Sequence, residues 1–490
     1  MKHSLLCIAF LFSIMSQSLG QIVTDVQLLD SYSAVEISSA VSFVRIAEYA
    51  VDIYKVNYLT PDVQGESSVA SGIICIPRDN TSSFPLASYQ HGTVGGREDV
   101  PSRLGSNNYV LPLVFAGAGF VTCSADYLGL GDSSGIHPYV HAATEASASL
   151  DLMRAAVELS NDPDFATLFN LNDQVFVAGY SQGGHATMAL QREIELNAND
   201  EFQLAASAPM SGPYSVSESM VDFTLGDDNY GFVAYVAWIT LGYQAAYPET
   251  LGMMTLEDVF KSQYIDHIRE FEAETINLWT LNNLLAQTLI DETGGQRPKD
   301  MFHDSIVNSI LANPTSPFAV ALADNDTYDW TPEATTYLCY CHGDEQVTFE
   351  NSLLAERVMS DNGATTVELI RMDTDDAPLD HSGCGIPCHL ETYDRFKALS
   401  NITSSVTDLD VDQVVRFSYN DGSLITELTE TMRFDSYELR LYNYTGQLLS
   451  KHTLANKENQ VSVNHLDQGL YIAELAGLDN KISTFRFFKD

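Results

Sequence analysis

Gln174-Val175-Phe176-Val177-Ala178-Gly179-Tyr180-Ser181-Gln182-Gly183-Gly184-His185 is the stretch on which the fold turns. Val175–Ala178 reads as a short buried strand. A Gly-x-Ser-x-Gly follows with no spacer, and a helix-forming run, His185–Leu196, comes next. A serine at so tight a strand-to-helix turn sits on strained backbone, and its flanking glycines leave room where a Cβ would clash. The turn lifts the Ser181 hydroxyl clear of the sheet, beside the oriented N–H groups of a helix start. The five-residue motif alone occurs by chance, as an ordinary glycine-rich turn. The strand before it and the helix after it make Ser181 a candidate nucleophile.

Working outward, strand-like and helix-like segments alternate from Val51 to Met372. Strands are expected at Val51–Leu59, Ser68–Ile76, Pro85–Gln90, Phe120–Ala125, Gln174–Ala178, Leu204–Met210, Thr336–Cys341 and Thr366–Met372, with helices such as Ala142–Leu159 between them. The later strands are short apolar runs, as a parallel sheet covered on both faces requires. The expected class is α/β, with a doubly wound, mostly parallel eight-stranded sheet. Between Gly212 and Ala334 the alternation is lost. An aromatic-rich run, Tyr230–Tyr247, then a helix-like stretch, Leu256–Leu289, point to an inserted helical cap over residues 213–333. The Gln, Thr and Tyr content of the aromatic run argues against a membrane span.

A serine hydroxyl is a weak nucleophile and needs a base, and the base needs an acid to orient it. In a sheet of this kind the chain order is serine, acid, histidine. His342-Gly343-Asp344-Glu345-Gln346-Val347 leaves the strand ending at Cys341, and Leu379-Asp380-His381-Ser382-Gly383 follows the strand ending near Met372. Asp344 and His381 are therefore the candidate acid and base. Glu345 is the rival acid and His389 the rival base. Asp380 reads as a solvated acid, His342 as a turn residue and His185 as a packing or capping residue. The oxyanion formed by nucleophilic attack needs two N–H donors. The amide of Gln182 is one candidate. The amide of Thr93 is the other, in the loop Gln90-His91-Gly92-Thr93-Val94-Gly95-Gly96, where His91 reads as a brace. Tyr180 and Gly92 are candidate substrate contacts. Asp126-Tyr127-Leu128-Gly129-Leu130-Gly131 has glycines but no phosphate-binding lysine, so it reads as a turn at the mouth of the site.

At the N-terminus, Lys2 and His3 precede an apolar run from Leu5 to Met15 and small residues at Ser18 and Gly20, so residues 1–20 are expected to be an export signal. This eleven-residue run is too short to span a bilayer. With Cys7 removed, six of the seven cysteines remain in an oxidising setting. Cys384 and Cys388, four apart in what reads as a loop containing Gly385 and Pro387, form the best local pair. Cys75, Cys123, Cys339 and Cys341 could each be a buried thiol or half of a bridge. No metal-ligand spacing is present, and no metal or cofactor is expected. After Ser400 a polar linker (401–412) leads into short strands and turns over 413–490, one turn around Thr445-Gly446, of the size of a small β-sandwich.

The 490 residues carry 24 Lys plus Arg against 66 Asp plus Glu, a formal net charge of -42 that would repel phosphate backbones and anionic membranes. Nucleic-acid partners are excluded on that ground. With 45% apolar and 18% charged residues the chain can bury a large core.

The run from His91-Gly92-Thr93 through Asp126-Tyr127-Leu128-Gly129-Leu130-Gly131 to Gly179-Tyr180-Ser181-Gln182-Gly183-Gly184-His185 resembles the secretory lipase/esterase branch of the α/β-hydrolases, the Candida antarctica lipase A type and its bacterial relatives. The resemblance spans roughly Asp25 to Leu399. It implies hydrolysis of carboxylic esters by Ser181, Asp344 and His381 through an acyl-enzyme, without cofactor, on a small-molecule or lipid ester. The His-Gly-Thr-Val-Gly-Gly loop departs from relatives in which this segment varies. The tail, through Leu439-Arg440-Leu441-Tyr442-Asn443-Tyr444-Thr445-Gly446-Gln447, Leu466-Asp467-Gln468-Gly469-Leu470-Tyr471 and Phe487-Phe488-Lys489, resembles the C-terminal sorting domain of Bacteroidetes type IX secretion cargo. That implies secretion machinery as a partner and a secreted or cell-surface location. The alternatives are a serine peptidase of the prolyl oligopeptidase type, which here lacks a propeller-length N-terminal region, and a non-catalytic binding protein on the same fold.

Overall fold

The computed structural model describes residues 22–40, 47–163, 165–404, 415–420, 423–428, 438–443, 447–454, 458–466, 468–476 and 481–489. The expected export signal and residues 405–412 of the expected linker lie outside them.

The strands of the main sheet are β1 (Val23–Tyr32), β2 (Val51–Pro61), β3 (Ser67–Pro77), β4 (Ser82–Gln90), β5 (Val121–Ala125), β6 (Asn170–Tyr180), β7 (Gln203–Met210), β8 (Thr335–Tyr340) and β9 (Val367–Arg371). They lie in the order β1-β2-β3-β5-β4-β6-β7-β8-β9, and a short β10 (Thr403–Ser404) pairs antiparallel with the start of β4. Pairing is antiparallel from β1 to β5 and parallel from β5 to β9. The eight expected strands are β2 to β9. The sheet has ten, because β1 adds to one edge and the two-residue β10 pairs with the start of the interior strand β4. β5 is buried throughout, as are the last residues of β6, β7 and β8, which is why these strands read as apolar runs.

α1 (Ala34–Ala40) follows β1, α2 (Val110–Gly117) joins β4 to β5, α3 (Ala142–Asn161) joins β5 to β6, and α4 (Gln182–Asn197) joins β6 to β7. Between β7 and β8 come α5 (Ser219–Thr224), α6 (Ala234–Ala246), α7 (Leu256–Val259), α8 (Ser262–Glu272), α9 (Leu278–Thr293), α10 (Asp304–Ala312) and α11 (Pro317–Asp324). α12 (Glu350–Asp361) joins β8 to β9, and α13 (His381–Leu399) follows β9. Leu113 and Phe115 of α2 and Cys384, Cys388 and Phe396 of α13 pack on one sheet face. Leu150 and Met153 of α3 and Leu190 of α4 pack on the other, in a core continuous with Trp238, Leu241 and Leu281 of the inserted helices. This is the α/β-hydrolase arrangement. Among the described residues no single helix is long and apolar enough to cross a membrane.

The cysteine pairing differs from the expected one. Cys339 is bonded to Cys388 and Cys341 to Cys384. Residues 384–388 were expected to be a glycine/proline loop, but they lie in α13, with Pro387 inside the helix. Residues four apart share a helix face, and residues two apart share a strand face. Both α13 cysteines thus meet Cys339 and Cys341 at the end of β8, while Cys75 and Cys123 stay buried thiols.

The C-terminal strands are β11 (Val415–Asn420), β12 (Ser423–Leu428), β13 (Glu438–Asn443), β14 (Leu448–Thr453), β15 (Glu458–Ser462), β16 (Gly469–Ala476) and β17 (Lys481–Lys489). They form two antiparallel sheets, β11-β12-β15 and β14-β13-β16-β17. Leu424 of one sheet shares a core with Leu439, Leu441 and Leu475 of the other. The turn expected at Thr445-Gly446 lies outside the described residues.

Candidate active site

β6 ends at Tyr180, α4 begins at Gln182, and Ser181 between them has φ 63° and ψ -125°. A non-glycine residue held there costs on the order of 1–3 kcal/mol, which the surroundings must impose. They do so from two sides: the Ser181 amide donates to the Met210 carbonyl at 3.0 Å, and its carbonyl accepts from Gly184 and His185 at 2.8 and 3.2 Å. A Cβ on Gly179 would stand 2.3 Å from the Gly183 carbonyl oxygen, and one on Gly183 would stand 2.0 Å from that of Gln90. Both motif glycines are therefore fixed by backbone that cannot retreat.

Asp344, in the turn after β8, and His381, the first residue of α13, are both buried. The Asp344 Oδ2 and His381 Nδ1 atoms are 2.7 Å apart. The other carboxylate oxygen of Asp344 accepts from the Gln346 and Val347 amides at 3.0 and 2.8 Å, so the acid is held by its own turn. Tyr180 lies under His381: its hydroxyl donates to the His381 carbonyl at 2.6 Å, and its ring sits 4.9 Å from the imidazole. Ser181, Tyr180, Gly92, Thr93 and His381 line one open cavity.

The rivals are engaged elsewhere. Glu345 Oε2 accepts from the backbone amide of His381 at 2.9 Å, so it anchors the helix start rather than the imidazole. Asp380 was expected to be merely solvated, yet it caps α13 by accepting from the Gly383 amide at 2.7 Å. His389 bonds the Gly385 carbonyl and Tyr89 hydroxyl with its two nitrogens, at 2.6 and 2.9 Å, and burial pushes its imidazole down to about 4. His342 stacks on Phe349. His91 donates from Nδ1 to the Gly92 carbonyl at 2.8 Å, and its ring lies 4.3 Å from that of Tyr127, tilted by 34°. His185 is fully buried against Glu145, with 2.6 Å between Nδ1 and Oε2.

Gln182 is the first residue of α4, so its amide is one that the helix leaves without an internal acceptor. The Thr93 hydroxyl is 2.6 Å from that of Tyr139, whose ring stacks on Trp238 at 4.7 Å. Behind Ser181 an apolar cavity runs under the inserted helices, lined by Met220, Leu225, Ile239, Ile310, Phe318 and Leu322 among others. Ser181, Tyr235 and Gln346 line both this cavity and the open one. Tyr235 and Gln346 bond each other at 3.0 Å at the junction. Sequence reasoning missed Glu145, Tyr139, Tyr235 and Gln346. The only available signal was an acid inside the otherwise small and apolar start of α3.

Asp373 joins the acid and base segments, accepting from the amides of Gly343 at 3.1 Å and Leu379 at 3.2 Å and from Arg371 at 2.8 Å. Burial raises its carboxyl. The Arg371 guanidinium and the amides of His342, Leu379 and Gly343 outweigh burial and hold it at about 2.

Comparison with known proteins finds relatives that share this fold. The rice cell wall degrading esterase LipA from Xanthomonas oryzae is 29% identical, with a TM-score of 0.64 over 77% of this chain and 96% of its own. A Legionella pneumophila protein is 27% identical, with a TM-score of 0.68 over 77% of this chain and 98% of its own. Candida antarctica lipase A shares the fold at 16% identity, with a TM-score of 0.51 over 72% of this chain and 77% of its own. No curated protein sequence matches the chain. A family model described as the secretion system C-terminal sorting domain matches residues 421–486. The structural relatives are thus esterases and lipases of α/β-hydrolase fold, and the tail marks the chain for secretion or the cell surface in Bacteroidetes.

Proposed function

We propose that this chain is a secreted serine hydrolase of carboxylic esters, with Ser181 as nucleophile, His381 as general base and Asp344 as the acid that orients it. His381 takes the Ser181 proton as the hydroxyl oxygen attacks the ester carbonyl. Asp344 holds the imidazole through Nδ1 and stabilises its charge. The amides of Gln182 and Thr93 receive the oxyanion, the alcohol leaves with the proton from His381, and water then releases the acid by the same steps in reverse. The observation that carries this reading is the 2.7 Å contact of Asp344 with His381 on the cavity that Ser181 also lines.

The acyl part is assigned to the apolar cavity behind Ser181, and the alcohol part to the open cavity in front. Residues 21–400 are read as the catalytic unit with 213–333 as its cap, residues 1–20 as the export signal and 413–490 as the sorting domain. An esterase named for degrading rice cell wall is among the relatives, which supports an ester rather than an amide substrate. Turnover of p-nitrophenyl esters, set beside a proline-amide substrate, tests the class. Ester turnover is expected to dominate, and dominant amide turnover would move the reading to a peptidase.

A further inference from the structure

Gln182 carries one of the proposed oxyanion donors on its backbone, and its side chain is as firmly held as its amide. The carboxamide nitrogen lies 2.9 Å from Glu145 Oε1 and 2.8 Å from His137 Nε2, and all three side chains are buried. His137 Nδ1 faces the Leu128 carbonyl at 2.8 Å, which can only accept. The His137 proton is therefore on Nδ1, and Nε2 is the acceptor. Burial keeps this imidazole neutral, pushing it down to about 3. Both hydrogens of the Gln182 amide group thus have acceptors, while its Oε1 has no donor. The contact is held by donation alone, with α3 supplying one of the acceptors.

Glu145 is fixed in turn. Its second oxygen is 2.6 Å from His185 Nδ1, and His185 Nε2 is 2.8 Å from the Asn325 carbonyl. Asn325 follows α11, and its side chain accepts from the Ala142 amide at the start of α3. One buried chain of hydrogen bonds therefore runs from the inserted helices through His185 and Glu145 to the residue after the nucleophile.

We propose that Glu145 is a positioning residue: by holding the Gln182 side chain it sets the direction of the Gln182 backbone N–H and so the strength of the oxyanion site. The inference rests on the ester-hydrolase reading. Its consequence is specific. Loss of the Glu145–Gln182 bond lets the first turn of α4 rotate, which weakens the transition state and leaves ground-state binding almost unchanged.

The test uses the full mature enzyme and three variants, with kcat, KM, thermal unfolding and affinity for an alkyl boronic acid. That probe adds the Ser181 oxygen to boron, passes the serine proton to His381 and presents an anionic oxygen to the donors. Glu145→Leu removes the acceptor at similar volume. Gln182→Met removes both donated bonds while leaving the Glu145–His185 pair intact, so it answers the question if Glu145→Leu fails to fold. Glu145→Gln keeps an acceptor oxygen for Gln182. Its amide group can donate to His185 Nδ1 in the tautomer whose proton is on Nε2, facing the Asn325 carbonyl. In Glu145→Leu and Gln182→Met, kcat and boronate affinity are expected to fall together by about tenfold or more, with KM within about threefold. Glu145→Gln is expected to recover most of both. Folded variants with lower unfolding temperatures but unchanged kcat and boronate affinity would overturn the proposal and leave Glu145 a packing residue. A wild type inert toward esters and boronate would overturn the hydrolase reading, and this inference with it.

Discussion

Asp344 and His381 meet at 2.7 Å although one leaves β8 and the other opens α13, and those two elements are joined by Cys339–Cys388 and Cys341–Cys384. The crosslinks start at the strand end just before Asp344 and reach the first two turns of the helix that begins with His381. The elements that carry the proposed acid and base are thus tied covalently, in a protein whose tail addresses it to an oxidising environment.

Reduction should therefore cost both stability and turnover. The outer bond closes a loop of 49 residues, worth about 4 kcal/mol in the chain-entropy account, and the inner bond, nested in it, adds about 2 kcal/mol. Cys341→Ser with Cys384→Ser is expected to lower stability by that smaller amount, and removal of all four cysteines by both. Denaturant unfolding with and without reductant measures it. Identical midpoints would show that packing alone holds α13.

Asp373 makes stability depend on pH in one direction. Its carboxyl lies at about 2, below its ordinary 3.8, so its contribution is fully present above about pH 4 and is lost as pH falls through 2. Asp373→Asn is expected to be less stable than wild type at neutral pH and to converge with it near pH 2. Urea midpoints at neutral pH, pH 4 and pH 2 decide this. A difference that persists unchanged at pH 2 would mean the lost hydrogen-bond geometry matters and the charge does not.

The cavity behind Ser181 should set acyl length. Leu225→Trp fills part of it, and kcat/KM for a decanoate ester is expected to fall about tenfold or more while that for acetate changes by less than about threefold. Equal losses on both esters would place the acyl chain elsewhere.

Much of this was legible in the sequence, for identifiable reasons. The parallel strands announce themselves because burial on both faces demands continuous apolar runs. β1 does not, because it is an outer strand whose residues are mostly exposed, and β10 is only two residues long. The strand-end positions of Ser181, Asp344 and His381 could be read from order and spacing, but no spacing reports a 2.7 Å contact. The disulfides were misread because Gly385 and Pro387 suggested a loop where α13 runs on past its first turn. The role of Glu145 could not be read from its one signal, an acid at the start of α3, because its partners come from α4, 37 and 40 residues away in the chain.

The central claim is that Ser181 is the nucleophile, and labelling with a fluorophosphonate followed by peptide mapping tests it most directly. The account expects a single adduct on Ser181, ester turnover abolished in step with labelling, and a Ser181→Ala variant that unfolds at the wild-type temperature but neither labels nor retains more than about a thousandth of the rate. A folded Ser181→Ala enzyme that keeps its turnover, or an adduct mapped to another residue, would contradict it.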